Sequence, residues 1–191
     1  MKAAVISESG LEIRDAMIPR PKPTEVLVEV RAAGLNRADL LMASGRFHGA
    51  QGGAGVVAGL EWAGDVVEVG REVTTVKPGD RVMCAGAGGY AEFAVCDWGR
   101  AMVIPANNMT YEQAATLPVA LATMHDAVVT NGRLADGETV LIQGASSGVG
   151  LMGLQIAKHK GAKLVIGTST NPGRREKLAE YGADLSLDSN D

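Results

Sequence analysis

The seven residues at 144–150 are the part of the sequence whose types and spacing point most directly to chemistry. They read Gly-Ala-Ser-Ser-Gly-Val-Gly, after an apolar run at 139–143 and before a helix-like pattern. Glycines let the backbone approach a pyrophosphate, serine hydroxyls donate hydrogen bonds, and a helix N-terminus offers unpaired N–H groups. A dinucleotide phosphate site is therefore predicted at Gly144, Ala145, Ser146, Ser147, Gly148, Val149 and Gly150. The alternative is a tight strand-to-helix turn without a ligand, since the pattern is not Gly-x-Gly-x-x-Gly.

The residues after the next apolar run bear on the choice of cofactor. A site that prefers NAD places an acid about 20 residues beyond the glycines, where it binds the ribose 2′-hydroxyl. Residues 167–171 contain no carboxylate, and the stretch after them carries Arg174, Arg175 and Lys177. Hydroxyls and a guanidinium suit a 2′-phosphate, which arginine binds with two hydrogen bonds. We therefore predict NADP(H), bound by Thr168, Ser169 and Arg174; a solvated helix face is the alternative.

Composition excludes several other classes of function. The 191 residues carry a formal net charge of -4 and only 4% aromatics, so a nucleic-acid surface is not expected. No apolar run approaches the roughly 18 residues of a membrane span, and the N-terminus does not resemble a signal peptide. Cys84 and Cys96 are too few for a disulfide framework, so we expect buried thiols and a cytoplasmic location.

The region around the glycine loop alternates strands and helices, as in an α/β fold. The run at 139–143 is apolar throughout, as in a strand buried on both faces, and the run at 163–167 repeats that pattern. Helices are predicted at 120–131, 151–160 and 174–181. A third strand is predicted to start at Leu185–Leu187. This order of elements predicts a parallel sheet.

The first 110 residues show the period of two that half-buried strands have. Val26, Val28 and Val30 share one face of such a strand. Similar runs follow at 62–69, 81–85 and 90–95. Turns containing glycine separate the runs, which predicts a barrel-like β domain. A helical stretch at 36–44 places Leu40 and Leu41 where they would face a core.

Six segments, in the right order, resemble the medium-chain dehydrogenase/reductase superfamily. They are Ala-Gly-Leu-Asn-Arg-Ala-Asp-Leu at 33–40, Gly-Leu-Glu-Trp-Ala-Gly at 59–64, Lys-Pro-Gly-Asp-Arg-Val at 77–82, Gly-Tyr-Ala-Glu-Phe at 89–93, Ala-Ala-Thr-Leu-Pro at 114–118 and the glycine loop. The resemblance implies a GroES-like β-barrel domain at 1–119. It also implies a partial, Rossmann-type, doubly wound parallel sheet at 120–191, with the nicotinamide in the cleft between the domains.

Zinc alcohol dehydrogenases of this superfamily carry a ligand Cys where this chain has Asn36, and a ligand His where it has Leu60. Neither residue completes a catalytic zinc site of the Cys/His type, and the Cys-x-x-Cys of a structural zinc site is absent from the sequence. We therefore predict no metal. The three histidines of the chain, His48, His125 and His159, are interpreted as surface or packing residues. Asp39 and Glu61 are interpreted as structural partners of Arg37 or of backbone amides.

The chain is thus most similar to the zinc-independent quinone oxidoreductase branch. The resemblance implies that Asn36 contacts the nicotinamide ribose or amide and that Thr123 contacts the cofactor; Phe47 replaces a tyrosine common near that position. Without a Lewis acid, a quinone or an α,β-unsaturated carbonyl is the expected hydride acceptor, because conjugation spreads the developing charge. Asn36 and Tyr90 are the candidate catalytic residues, for oxyanion binding and proton donation respectively. Packing is the alternative role of Tyr90, in which case solvent supplies the proton.

Two other functions stay open. Related domains of polyketide and fatty-acid synthases reduce enoyl thioesters, and a non-catalytic NADPH-binding protein would need the same loop. Short-chain dehydrogenases share the loop pattern but place it near the N-terminus, before a Tyr-x-x-x-Lys that does not occur here. Because a complete sheet of this kind has about six strands, we expect the chain to be part of a longer enzyme. Relatives in this branch are often dimers, so a homodimer is also an expectation.

Overall fold

A computed structural model describes residues 1–44, 46, 52–106 and 108–190. Two compact units are present, Met1–Pro118 and a second unit that starts at Val119. The first unit contains a two-stranded and a five-stranded sheet and the second a three-stranded sheet, and each unit has its own buried core. Among the described residues, no helix combines the length and the apolarity needed to cross a membrane.

The first unit is built from antiparallel strands. Its described strands are β1 (Lys2–Ser7), β2 (Gly10–Asp15), β3 (Glu25–Ala33), β4 (Glu61–Val69), β5 (Arg81–Ala85), β6 (Phe93–Asp97) and β7 (Ala101–Val103). Strands β1 and β2 form a hairpin, and the other five form a sheet in the order β6-β3-β4-β5-β7. This half-barrel confirms the predicted GroES-like domain. The strand predicted at 90–95 starts later, at Phe93, because the backbone of Tyr90 pairs with Ala4 and Ala58 instead.

The alternation along β3 places Val26 and Val28 in the core of this unit, where both are fully buried. Trp62 of β4 is fully buried in the same core, and its indole Nε1 has no hydrogen-bond partner among the described residues. Cys84 and Cys96 also pack there as free thiols, which confirms the prediction that they are buried. The neighbouring Cys96 thiol, together with burial, raises the pKa of Cys84 well above its ordinary value.

Helix α1 (Arg37–Ala43) confirms the predicted helical stretch but turns a different face inward. Leu40 and Leu41 are 71% and 43% exposed, so the expectation that they face a core is wrong. The buried residues of the helix are Asp39 and Met42. Polar partners hold Asp39 inside, and consecutive residues on a helix point about 100° apart. Burying Asp39 therefore carries Leu40 towards the surface.

Two short helical segments follow in the described part of this unit, a 3₁₀ turn at Trp98–Arg100 and α2 (Tyr111–Ala114). A reciprocal cap starts α2. The Thr110 hydroxyl accepts the Gln113 N–H at 3.2 Å, and the Gln113 side-chain oxygen accepts the Thr110 N–H at 3.0 Å.

The second unit alternates helices and strands. From the helix at the boundary onwards, the described elements are α3 (Pro118–His125), a π-helical segment (Asp126–Asn131), β8 (Thr139–Ile142), α4 (Gly148–His159), β9 (Leu164–Thr168), α5 (Pro172–Arg175), a 3₁₀ turn (Leu178–Tyr181) and β10 (Leu185–Leu187). The three strands are parallel, in the order β10-β9-β8. The predicted partial Rossmann-type sheet is confirmed.

The two faces of this sheet differ in burial. Ile142 and Val165 pack against α4 in the core of the unit. On the opposite face, the register aligns Leu141 with Ile166 and Ile166 with Leu185. Leu141 is 52% and Leu185 44% exposed. The expectation of a strand buried on both faces at 139–143 is therefore wrong, because none of the described helices covers the second face.

The helix bounds differ from the sequence expectations at three places. Pro118 starts α3, since a proline in the first helical turn lacks only an N–H that has no partner there anyway, and the backbone becomes π-helical from Asp126. Helix α4 starts at Gly148, three residues earlier than predicted, because Ser147 caps it. The predicted third helix splits into α5 and a 3₁₀ turn, and Asn171 caps α5 by accepting the Arg174 N–H at 2.9 Å.

Candidate functional site

The glycine loop joins β8 to α4 and turns sharply at Gly144. This glycine has φ +63°, in the left-handed region that other residues rarely adopt. The Ala145 N–H donates to the Thr168 carbonyl at 2.8 Å, which ties the loop to the end of β9. At the other end, the Ser147 hydroxyl accepts the Gly150 N–H at 3.0 Å. Local hydrogen bonds therefore hold the loop at both ends.

Gly148 and Gly150 are needed for different reasons. A Cβ at Gly150 would lie 2.6 Å from the Ala145 Cα and from the Gly144 oxygen, so only glycine lets α4 pack against the loop. A Cβ at Gly148 would meet no atom within 4 Å. The N–H groups of Gly148 and Val149 belong to the first helical turn and have no acceptor within the helix. Open space next to such donors fits a phosphate group.

A cavity of about 460 Å³ lies where the three parallel strands end. Its lining residues are Leu141, Gln143, Gly144, Thr168, Leu187, Asp188 and Ser189. In open parallel sheets, ligands bind in the crevice outside the carboxyl ends of the strands. This cavity is therefore the candidate dinucleotide site.

Hydroxyl groups from three loops form two hydrogen-bonded pairs at this edge. The hydroxyl oxygens of Ser146 and Ser169 are 2.8 Å apart, and the Ser189 hydroxyl donates to Thr168 Oγ1 at 3.0 Å. Thr168 Oγ1 also accepts the Gly144 N–H at 3.2 Å. Four of the predicted site residues, Gly144, Ser146, Thr168 and Ser169, thus lie together. Because Thr168 and Ser169 are only 8% and 3% exposed, their hydroxyls organise the edge more than they face solvent.

The two arginines of α5 have different surroundings. Arg174 is exposed, and its guanidinium has no hydrogen bond or ion pair with any of the described residues. Arg175 is half-buried, and its Nη1 donates to the Ser169 carbonyl at 2.9 Å and to Asp188 Oδ2 at 2.6 Å. The charge of Arg175 is therefore balanced within the protein, whereas that of Arg174 is available to an anion.

Sequence reasoning missed Asp188 and Ser189. Both directly follow the strand Leu185–Leu187. The carboxyl ends of parallel strands meet at one edge, so the same rule that locates the glycine loop could have located these two residues.

In the first unit, Asn36 and Tyr90 belong to one hydrogen-bonded network that contains two buried carboxylates. Asn36 Nδ2 donates to Glu61 Oε1 at 2.8 Å, and the Asn36 backbone N–H donates to Asp39 Oδ2 at 2.7 Å. The Tyr90 hydroxyl is 2.7 Å from Asp39 Oδ2 and 3.1 Å from the Gly34 carbonyl. The structure therefore brings together the two predicted catalytic residues and gives both acids structural partners.

Electrostatics make the Tyr90 hydroxyl a weak acid. Burial and the hydrogen bond to Asp39 raise the pKa of Tyr90 far above its ordinary value. The other carboxylate oxygen of Asp39, Oδ1, is buried and has no partner among the described residues. A phenol beside a carboxylate retains its proton, so these surroundings favour a positioning role for Tyr90 over proton donation.

The remaining predicted residues are scattered. Thr123 lies exposed on α3, and no described hydrogen bond links it to the glycine loop. His125 and His159 lie in the last turns of α3 and α4. Phe47 and His48 lie outside the described residues. Among the residues that the structure describes, no group of three His, Cys, Asp or Glu side chains is arranged to hold a metal ion.

Two known families match separate parts of the chain. The family described as "Alcohol dehydrogenase GroES-like domain" matches residues 22–106, and that described as "Zinc-binding dehydrogenase" matches residues 148–191. Polyketide synthase GfsB of Streptomyces halstedii is 39% identical over 160 residues, which cover 84% of this chain and 3% of that protein. The quinone oxidoreductase of Mus musculus is 34% identical over 171 residues, which cover 88% of this chain and 51% of the relative.

Solved structures resemble the chain over nearly its whole length. An alcohol dehydrogenase superfamily protein from Novosphingobium aromaticivorans matches with a TM-score of 0.91 at 34% identity. The match covers 100% of this chain and 59% of the Novosphingobium chain. The Escherichia coli quinone oxidoreductase complexed with NADPH matches with a TM-score of 0.83 at 27% identity, over 100% of this chain and 59% of the Escherichia coli chain. The CurK enoyl reductase has a TM-score of 0.87 at 29% identity, with coverages of 100% and 60%.

A GroES-like half-barrel followed by a parallel sheet with a glycine loop defines a class of two-domain dehydrogenases and reductases. The chain belongs to the medium-chain dehydrogenase/reductase superfamily and is quinone oxidoreductase-like. It spans about half the length of the mouse relative and about 60% of the solved structures.

Proposed function

We propose that this chain binds NADPH and takes part in zinc-independent reduction of a quinone or an α,β-unsaturated carbonyl. The observation that carries the proposal is the open space at Gly148, next to first-turn N–H groups and at the edge where three strands end. The solved Escherichia coli relative is complexed with NADPH, which supports the same cofactor here.

Arg174 supports NADPH over NADH. Its guanidinium is exposed and has no partner among the described residues, and the loop before it carries hydroxyls but no carboxylate. A 2′-phosphate would gain a charge-assisted hydrogen bond from this side chain. The 2′-hydroxyl of NADH has no comparable group to offer.

NADPH, when bound, supplies the hydride, and the residues of this chain bind the cofactor and orient it towards the acceptor. The loop at 144–150 would hold the pyrophosphate, Thr168 and Ser169 would lie at the adenosine ribose, and Arg174 would bind its 2′-phosphate. Asn36 would contact the nicotinamide ribose or amide, with Glu61 fixing its side chain, and Thr123 would add a further cofactor contact. Tyr90 would keep Asp39 in place beside Asn36, with the proton supplied by solvent.

The acceptor class follows from the residues at the positions of the superfamily's zinc ligands. Asn36 and the buried Leu60 offer neither a thiolate nor an imidazole. An isolated carbonyl or alcohol then lacks a strong electrophilic partner, whereas a conjugated acceptor spreads its own developing charge. We therefore propose quinones and enones rather than simple alcohols.

Reduction of an enoyl thioester is the second candidate. The similarity to the polyketide synthase GfsB and to the CurK enoyl reductase favours it. Both candidates use the same cofactor and a conjugated acceptor, so only the acceptor distinguishes them.

The test is a fluorescence titration of the chain with NADPH and NADH, followed by turnover with 1,4-benzoquinone, an enone and an enoyl thioester. We expect preferential NADPH binding and acceptor-dependent oxidation that a metal chelator leaves unchanged. Binding without oxidation of any acceptor would favour a non-catalytic NADPH-binding protein. Loss of activity with chelator would contradict the zinc-independent chemistry.

A further inference from the structure

Arg175 connects three segments that border the candidate cofactor site. Its Nη1 contacts the Ser169 carbonyl in the loop after β9 and Asp188 after β10, and the residue itself belongs to α5. The same Ser169 pairs through its hydroxyl with Ser146 of the glycine loop, and it accepts the Asn171 N–H at 3.2 Å. Hydrogen bonds on both the carbonyl and the hydroxyl of Ser169 therefore link Asp188, through Arg175, to the glycine loop.

We propose that the Arg175–Asp188 ion pair positions the loop at 168–171 for the ribose of NADPH and NADH alike, while Arg174 alone reads the 2′-phosphate. This inference rests on the proposed cofactor-binding function. It makes Arg175 and Asp188 positioning residues of the site and separates them from the specificity residue beside them.

The charges favour this division of roles. The Arg175 and Asp188 side chains are 24% and 27% exposed, so water screens their attraction less than it would on an open surface. Asp188 Oδ1 also accepts the Asn190 backbone N–H and side-chain amide, each at 3.0 Å, which fixes the carboxylate in place. A guanidinium already paired with this carboxylate gains little from a phosphate. Among the residues that the structure describes, no carboxylate competes in this way for the neighbouring Arg174.

The first experiment measures Kd for NADPH and NADH by fluorescence titration of wild type, Arg175→Ala, Asp188→Asn and Arg174→Ala. We expect Arg175→Ala and Asp188→Asn to weaken both cofactors by a similar factor, about tenfold, as for a lost charged hydrogen bond. Arg174→Ala, the matched control on the same helix, should weaken NADPH only. The proposal would be overturned if Arg175→Ala lowered the affinity for NADPH but not for NADH. It would also be overturned if Asp188→Asn raised the affinity for NADPH alone.

The second experiment needs no cofactor and tests the inference even if the proposed function fails. Amide hydrogen exchange of peptides that cover 168–172 should become faster in both pair variants. Arg175→Ala removes the donor that binds the Ser169 carbonyl, and Asp188→Asn removes the charge that holds this donor in place. Exchange in Arg174→Ala should match wild type. Unchanged exchange in both pair variants would overturn the positioning role, whereas wild-type protein that binds neither cofactor would overturn the proposed function instead.

Discussion

A buried carboxylate orients Asn36. The Asn36 amide turns its NH₂ group towards Glu61, and Nδ2 donates to Oε1 at 2.8 Å. Glu61 is only 3% exposed, and its position therefore leaves the amide little freedom. A side chain whose orientation is set before the ligand arrives loses less entropy on binding.

Arg174 gives the first prediction at the scale of single residues. Arg174→Ala should weaken NADPH binding by about 1.5–3 kcal/mol, the range for a hydrogen bond to a charged group, and leave NADH binding unchanged. Isothermal titration with both cofactors measures the difference. Lys177→Ala, which removes an exposed cation on the same segment, is the control. Equal losses for NADPH and NADH would contradict a contact with the 2′-phosphate.

Tyr90 gives the second prediction. Tyr90→Phe should lower kcat with the best acceptor by less than about tenfold and leave the shape of the pH profile unchanged, since general-acid catalysis is worth about 10²–10⁴. Tyr111→Phe is the matched control, because the Tyr111 hydroxyl binds Asp65 at 2.5 Å elsewhere in the first unit. A loss of a hundredfold or more, with one limb of the profile removed, would make Tyr90 the proton donor after all.

At the scale of elements, the start of α4 gives a prediction with an internal control. Gly150→Ala should lower the free energy of unfolding by about 1–3 kcal/mol, because the added methyl group overlaps the backbone of Ala145. Gly148→Ala has open space around it, so stability should hold while NADPH affinity falls. Urea denaturation and cofactor titration of both variants measure the two effects. Equal losses of stability in the two variants would mean that a methyl group at position 148 also clashes with its surroundings.

The elements that local sequence determines were predictable. The three parallel strands and the glycine loop follow from apolar runs and glycine positions. Which face of each element is buried was less predictable. Two adjacent leucines in a short helix do not determine which side of the helix faces the core. Leu40 and Leu41 therefore lie outward once Asp39 is bound by Tyr90, a contact between residues 51 positions apart. Leu141 was misjudged because the burial of a strand face depends on helices that lie elsewhere in a chain.

The candidate site was predictable to the extent that it is built from consecutive residues. Residues 144–150 and the hydroxyls after β9 could be selected from the sequence. The distinct surroundings of Arg174 and Arg175 could not, because they depend on a contact between α5 and the end of β10, 13 residues away. Composition shows that cations are present but not which of them are already paired.

At the scale of the whole molecule, the second unit gives a prediction about association. The apolar row formed by Leu141, Ile166 and Leu185 lies on a sheet face that no described helix covers, and β8 is an edge strand of the described sheet. Such surfaces favour pairing with another chain. We expect concentration-dependent self-association in sedimentation velocity, reduced by Leu141→Arg. Ile13→Arg, at a 72% exposed position of β2, is the control. Equal reduction by both would argue against the sheet face.

The placement of the two tryptophans makes the first unit a natural spectroscopic reporter. The chain has two tryptophans, Trp62 and Trp98, and both belong to the first unit. The indole of Trp62 is fully enclosed, whereas Trp98 is 39% exposed, so a soluble quencher should separate their emission. The reduced nicotinamide absorbs where indole emits. Energy transfer from Trp62 to a cofactor held by the glycine loop would therefore measure how close the two units come in solution.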